Sequence, residues 1–149
     1  MGALTTAITR KLAIDFESAL AEQPNRFDGK EDLTHYFAPD VYGREIRCKA
    51  GDAVASKIQK FAHMNILLEG RCLVATEHGT KEITAPEVWI SDPGQKRCVY
   101  VVEDCRWLTI HPNHENTKDL EKLEEYVIAP SFEAYDQFLL ENDMKRINK

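Results

Sequence analysis

The sequence predicts a mainly β protein: a small antiparallel barrel or jelly roll, preceded by one helix and followed by two. Three observations lead there. From Val41 onward, runs of alternating or β-branched residues return about every 8–12 residues between turn-forming groups. Before Pro24 and after Pro112 the apolar residues instead recur at helical spacing. The chain has 149 residues, 43% hydrophobic and 30% charged, which suits one core and would leave two cores marginal.

Residues 3–22 read as the first helix, because Leu4, Ile8, Leu12, Phe16 and Leu20 recur every four positions with Arg10, Lys11, Asp15 and Glu17 between them. Gln23-Pro24-Asn25 stops it, and residues 26–40 read as a polar connector with room for a short helix at 31–37. Eight short strands are expected at 44–49, 53–59, 64–69, 71–76, 81–84, 88–91, 97–102 and 105–111. The breaks between them, among them Ala50-Gly51-Asp52, Glu69-Gly70, His78-Gly79-Thr80, Asp92-Pro93-Gly94 and Glu103-Asp104, carry turn-forming residues. Closing such strands on themselves removes the edges that an open sheet exposes. Asn116 or Thr117 is placed to cap a helix over 118–126 with the stripe Leu120, Leu123 and Val127. Ser131 is placed to cap another over 132–141, with Phe132, Tyr135, Phe138 and Leu139 on one side.

The expected layout is therefore one compact unit in three parts: helix and connector at 1–40, barrel at 41–111, helical extension at 112–149. Net charge follows that division, at −3, +1 and −4, so the overall −6 belongs to the ends. No basic face argues for nucleic acid as a partner, and no run approaches the roughly 20 apolar residues of a membrane helix. Cysteines 48, 72, 98 and 105 have no CxxC spacing and read as reduced thiols of a cytoplasmic protein. The opening Met1-Gly2-Ala3-Leu4-Thr5-Thr6 is a loose match to an acylation signal and lacks a polybasic neighbour.

Within 41–111 the segment Met64-Asn65-Ile66-Leu67-Leu68-Glu69-Gly70-Arg71-Cys72-Leu73-Val74 resembles the first strand and turn motif of cupins. Ala85-Pro86-Glu87-Val88-Trp89-Ile90-Ser91-Asp92-Pro93-Gly94 resembles the second motif, and Cys105-Arg106-Trp107-Leu108-Thr109-Ile110-His111 the closing strand. The resemblance implies a cupin-like barrel. In metal-binding cupins these motifs supply a His-x-His pair, a Glu and a further His. Counting back from Gly70 puts Lys57 and Gln59 at the pair and His63 at the Glu; counting on from Gly94 puts Arg97 at the last. Two fixed cations among four positions suit no divalent ion, so no metal and no other cofactor is expected. The same four residues would make a cationic, donor-rich cavity mouth suited to a carboxylate or phosphate.

Other chemistry is weaker. Pro112 spoils the helical spacing that His111, His114 and Glu115 would need to grip zinc, and Trp89 and Trp107 read as fillers of the core or rim. No catalytic residue is assigned. Residues 109–132 also resemble small cupin-type proteins encoded by tailed bacteriophages. The expected role is thus a metal-free binding or assembly protein: phage-encoded, located in the bacterial host cytoplasm or the virion, and a homo-oligomer through its barrel face or terminal helices. Other virion proteins are its further expected partners. The alternative is a protein or metal-independent enzyme that binds a small anion through Lys57, Gln59, His63 and Arg97. A third option is a metal held by His63 with His78 or His111.

Overall fold

A computed structural model describes residues 9–22 and 32–147. Among these, the elements run α1 (Arg10–Ala21), β1 (Leu33–Ala38), β2 (Asp40–Cys48), β3 (Ala53–Ala55), β4 (Ile58–Gln59), β5 (His63–Thr76), β6 (Gly79–Thr84), β7 (Glu87–Ser91), β8 (Cys98–Asn113), α2 (Leu120–Val127), β9 (Ile128–Ala129) and α3 (Phe132–Ile147). The fold class is the expected one, mainly β with antiparallel strands and flanking helices, but the strands are partitioned differently. Leu4, Ile8, the opening Met1-Gly2 segment and residues 23–31 of the connector lie outside the described residues.

Two long strands build the sheet. β5 and β8 pair along most of their length, and each carries two shorter strands in tandem on its free edge. β2 and β3 line up along β8, while β7 and β6 line up along β5. The expected turns at Glu69-Gly70 and Glu103-Asp104 are instead an irregularity inside this pair, with register shifts between Leu67 and Cys72. Gly70 sits at φ +92°, and a Cβ there would run into the Asp104 carbonyl, so only glycine lets the two backbones approach this closely. The bend folds the sheet into two facing halves, which is the jelly-roll arrangement. Among the described residues closure by hydrogen bonding is not complete: β1 pairs only with β2, and β7 only with β5.

The segment expected to hold a short helix at 31–37 is corrected: from Leu33 it is strand β1. Thr34, Tyr36 and Phe37 favour strand, and Pro39-Asp40, with Asp40 at φ +64°, turns the chain straight back onto β2. Asn116 fastens that turn, accepting from the Asp40 N–H at 2.8 Å. The sheet therefore begins earlier than residue 41.

The main core lies at the bend and joins Cys48, Leu67, Cys72, Val74, Val99, Val101, Cys105 and Trp107. A second cluster, Ile58, Ala129, Phe132 and Tyr135, fastens α3 to the small β4–β9 sheet. Asp119, not Asn116 or Thr117, caps α2, its carboxylate accepting from the N–H groups of Glu121 and Lys122. Ser131 caps α3 as expected, accepting from the Ala134 N–H at 3.0 Å. Leu139 and Leu120 are exposed rather than packed, and α1 buries Ala13 while Leu12 faces solvent.

Candidate functional site

Strand alternation decides what faces the interior. Arg44 on β2 lies opposite Thr109 on β8, Thr109 opposite Asn65 on β5, and Asn65 opposite Trp89 on β7. One row further from the bend, Tyr42, His111 and His63 follow, with Ser91 beyond. The interior is thus apolar at the bend and polar toward the opposite end. A cavity of about 260 Å³ spans this gradient, lined by Arg44, Gln59, Arg97, Trp107 and Thr109 on one side and by Cys48, Cys72, Val99, Val101 and Cys105 on the other.

Arg97 is the central charge. The residue is only 7% exposed, and its backbone is clamped by Ser56, whose Oγ accepts from the Arg97 N–H at 2.7 Å and whose N–H donates to the Arg97 carbonyl at 2.9 Å. The guanidinium donates through Nη1 to Asn65 Oδ1 at 2.8 Å and to Ser91 Oγ at 3.1 Å, and it packs 5.1 Å from the Trp107 ring. Asn65, fully buried, is the hub: its Oδ1 also accepts from Trp107 Nε1 at 3.0 Å, and its Nδ2 donates to Ser91 Oγ at 2.8 Å. Among the described residues no carboxylate pairs with Arg97. Burial lowers its pKa to about 10, so it remains a cation at neutral pH.

Beside it the rings of His63 and His111 stack at 5.2 Å, and Tyr42 stacks on His111 at 6.0 Å. Burial, reinforced by the positive charge of Arg97, pushes His63 down to about 4. Burial, then His63, Arg44 and Arg97, push His111 to about 3. Both rings are therefore neutral. Among the described residues neither His63 nitrogen has a hydrogen-bond partner of normal geometry, nor does Gln59 Oε1. His111 Nε2 lies 2.8 Å from Thr109 Oγ1.

The four residues singled out from the sequence thus divide. Gln59 and Arg97 line the cavity, and His63 lies behind it against His111. Lys57 stands at the rim, half-exposed and ion-paired with Glu124 of α2. Asn65 and Arg44 went unassigned in the sequence, although period-two alternation from His63 places Asn65 on its face, while His111 was weighed only as a metal ligand and Trp107 only as filler. Trp107 is more than filler, since it donates to Asn65 and shields Arg97. His78 is exposed beside Asp92 at 3.3 Å and never approaches His63; His114 and Glu115 are exposed too.

A divalent ion does not fit this donor set. Arg97 places a fixed cation at its centre, and the stacked planes of His63 and His111 run nearly parallel, at 25°, rather than converging. Among the described residues no cluster of three His, Cys, Asp or Glu side chains is placed to hold a metal.

No protein-family model matches the chain, and no curated protein does. Several solved structures are similar to it. An ethanolamine utilization protein Q from Salmonella typhimurium is 19% identical, with 58% of this chain and 75% of that one covered at a TM-score of 0.47. A cupin superfamily protein from Desulfitobacterium hafniense is 9% identical, with coverages of 55% and 78% and a TM-score of 0.46. KdgF from a Halomonas species is 10% identical, with coverages of 64% and 90% and a TM-score of 0.49.

Proposed function

We propose that this chain is a binding protein whose barrel takes a small anionic ligand on Arg97, with no metal ion as intermediary. One observation carries the proposal: an enclosed guanidinium, facing a cavity, without a carboxylate partner among the described residues. Removing a charge from water costs several kcal/mol unless an opposite charge compensates it. Here two neutral oxygens and an indole face supply only part of that compensation. An incoming anion supplies the rest, in a cavity that Gln59 also lines. Binding is favoured over turnover by the state of the reactive groups. Burial holds the Cys48 and Cys72 thiols protonated, each pushed up to about 12, and the basicity of His63 and His111 is suppressed.

A thermal-shift panel of small carboxylates and phosphate tests this. At least one anion is expected to raise the melting temperature of the parent protein, and Arg97→Met is expected to abolish the shift. Stabilisation by none of them, or an equal shift in the variant, would refute the proposal.

A second reading, self-association, is favoured by the outer face of the same sheet. Met64 pairs with Ile90 and Ile66 with Val88 across β5 and β7; Met64, Leu68, Val88 and Ile90 are exposed, and among the described residues the far edge of β7 has no strand partner. A homo-oligomer through this face would meet the requirement of an assembly role, in a virion or elsewhere. Light scattering on the purified protein is expected to give a multiple of 17.0 kDa that falls to the monomer in Val88→Lys/Ile90→Lys. A parent protein that is monomeric at high concentration would contradict it. Among the described residues no helix is long and apolar enough to cross a membrane.

A further inference from the structure

The cavity that holds Arg97 is amphipathic in a way that restricts its ligand by charge, shape and polarity together. Only the Nη1 of Arg97 is engaged by protein groups among the described residues, so the remaining donors of the fork stay available for a two-oxygen acceptor. The surrounding charges set how much negative charge the cavity tolerates. Lys96, the buried neighbour of Arg97, is already bound to Glu17 at 2.8 Å, and Lys57 to Glu124. Arg44, half-buried, and Glu17, already paired with Lys96, also line the cavity. Arg97 is the fully buried cation there that no carboxylate among the described residues compensates.

The part of the wall nearest the bend is apolar. Cys48, Cys72, Val99, Val101 and Cys105 face the cavity, with the thiols of Cys48 and Cys72 uncharged and poor hydrogen-bonding groups. A hydroxyl-rich ligand would leave its hydroxyls unsatisfied against this surface, at about 1–3 kcal/mol each. An apolar body gains there by leaving water. At about 260 Å³ the space falls just below the roughly 300–1,000 Å³ of sites for drug-sized molecules, so the body is small.

We infer that the ligand is a small monocarboxylate with an apolar body, aryl or short-chain aliphatic, its carboxylate on Arg97 and its body against Val99, Val101 and the cysteines. This rests on the anion-binding proposal above. Phosphates, oligocarboxylates and sugar acids fit the apolar part of this wall less well.

Calorimetric titration of the full chain at constant ionic strength tests it, with benzoate, hexanoate, acetate, phosphate and gluconate as the probes. Hexanoate and benzoate are expected to bind about tenfold tighter than acetate or more, since each added buried CH₂ contributes binding energy. Phosphate and gluconate are expected to give no measurable heat of binding. Val99→Thr, which keeps shape while adding a hydroxyl, is expected to weaken benzoate severalfold and leave acetate unchanged. If phosphate, gluconate or acetate binds as tightly as hexanoate, and Arg97→Met removes that binding, anion binding stands and the monocarboxylate inference falls. If none of the five binds, both fall. The probe series uses the parent chain alone, so the result does not depend on any variant folding.

Discussion

At the scale of single residues, the account turns on what Arg97 does when nothing is bound. Its hydrogen bonds are redundant for its partners: without it, Asn65 Oδ1 still accepts from Trp107 and Ser91 Oγ still accepts from Asn65 Nδ2. Deleting the guanidinium therefore leaves no orphaned acceptor and removes a buried charge. Apo Arg97→Met is expected to melt at the parent temperature or above it, by up to a few °C, in a thermal denaturation scan. A loss of more than about 2 kcal/mol would mean that Arg97 is structural, and would remove the reason to assign it a ligand. Arg97 and Gln59 could be singled out from the sequence because they stand at fixed offsets from turn glycines. Asn65 could not be weighed in that way, because its importance comes from simultaneous contacts with β7 and β8 and with the segment before β8, which no local pattern encodes.

At the scale of elements, the strands were legible as hydrophobic periodicity and their lengths were not. Gly70 looked like a turn because glycine after a charged residue usually is one; here it is the point where two long strands bend past each other. The distinction lies in what stands opposite, and the opposing Asp104 is 34 positions away in the chain. The pair Gly70→Ala and Gly51→Ala separates the two roles of glycine. Gly51, at φ +94° with open space around it, is expected to cost about 1 kcal/mol from backbone strain alone. Gly70 adds a backbone clash and is expected to cost at least about twice that, read as a lower midpoint in urea. Equal costs would contradict the bend. β1 was missed for a related reason: a strand of six residues with exposed Tyr36 and Phe37 shows little alternation until β2 is there to pair with it.

At the scale of the whole molecule, the charge division of the sequence gains a physical meaning. The nearly neutral middle carries buried cations, and the acidic ends supply partners for two of its lysines, Glu17 for Lys96 and Glu124 for Lys57. The buried imidazoles make global stability depend on pH. His63 and His111 have folded-state pKa values below their unfolded value of 6.5, so the unfolded chain binds more protons as pH falls. Their contribution is present above pH 6.5 and is lost progressively as the pH falls, toward about 4 for His63 and about 3 for His111. The melting temperature is expected to fall across that window, and the fall is expected to be shallower in His111→Phe, which keeps the stack on Tyr42 and His63 without a titrating group. An unchanged slope would show that these rings are not buried neutral.

The most direct measurement of the central claim is a crystal structure of the parent protein saturated with benzoate. The carboxylate is expected within about 3 Å of the Arg97 guanidinium, with the ring between Val99 and Val101 on the bend side of the cavity. Density for solvent alone around Arg97, with benzoate elsewhere or absent, would contradict the claim that this buried charge is completed by a ligand.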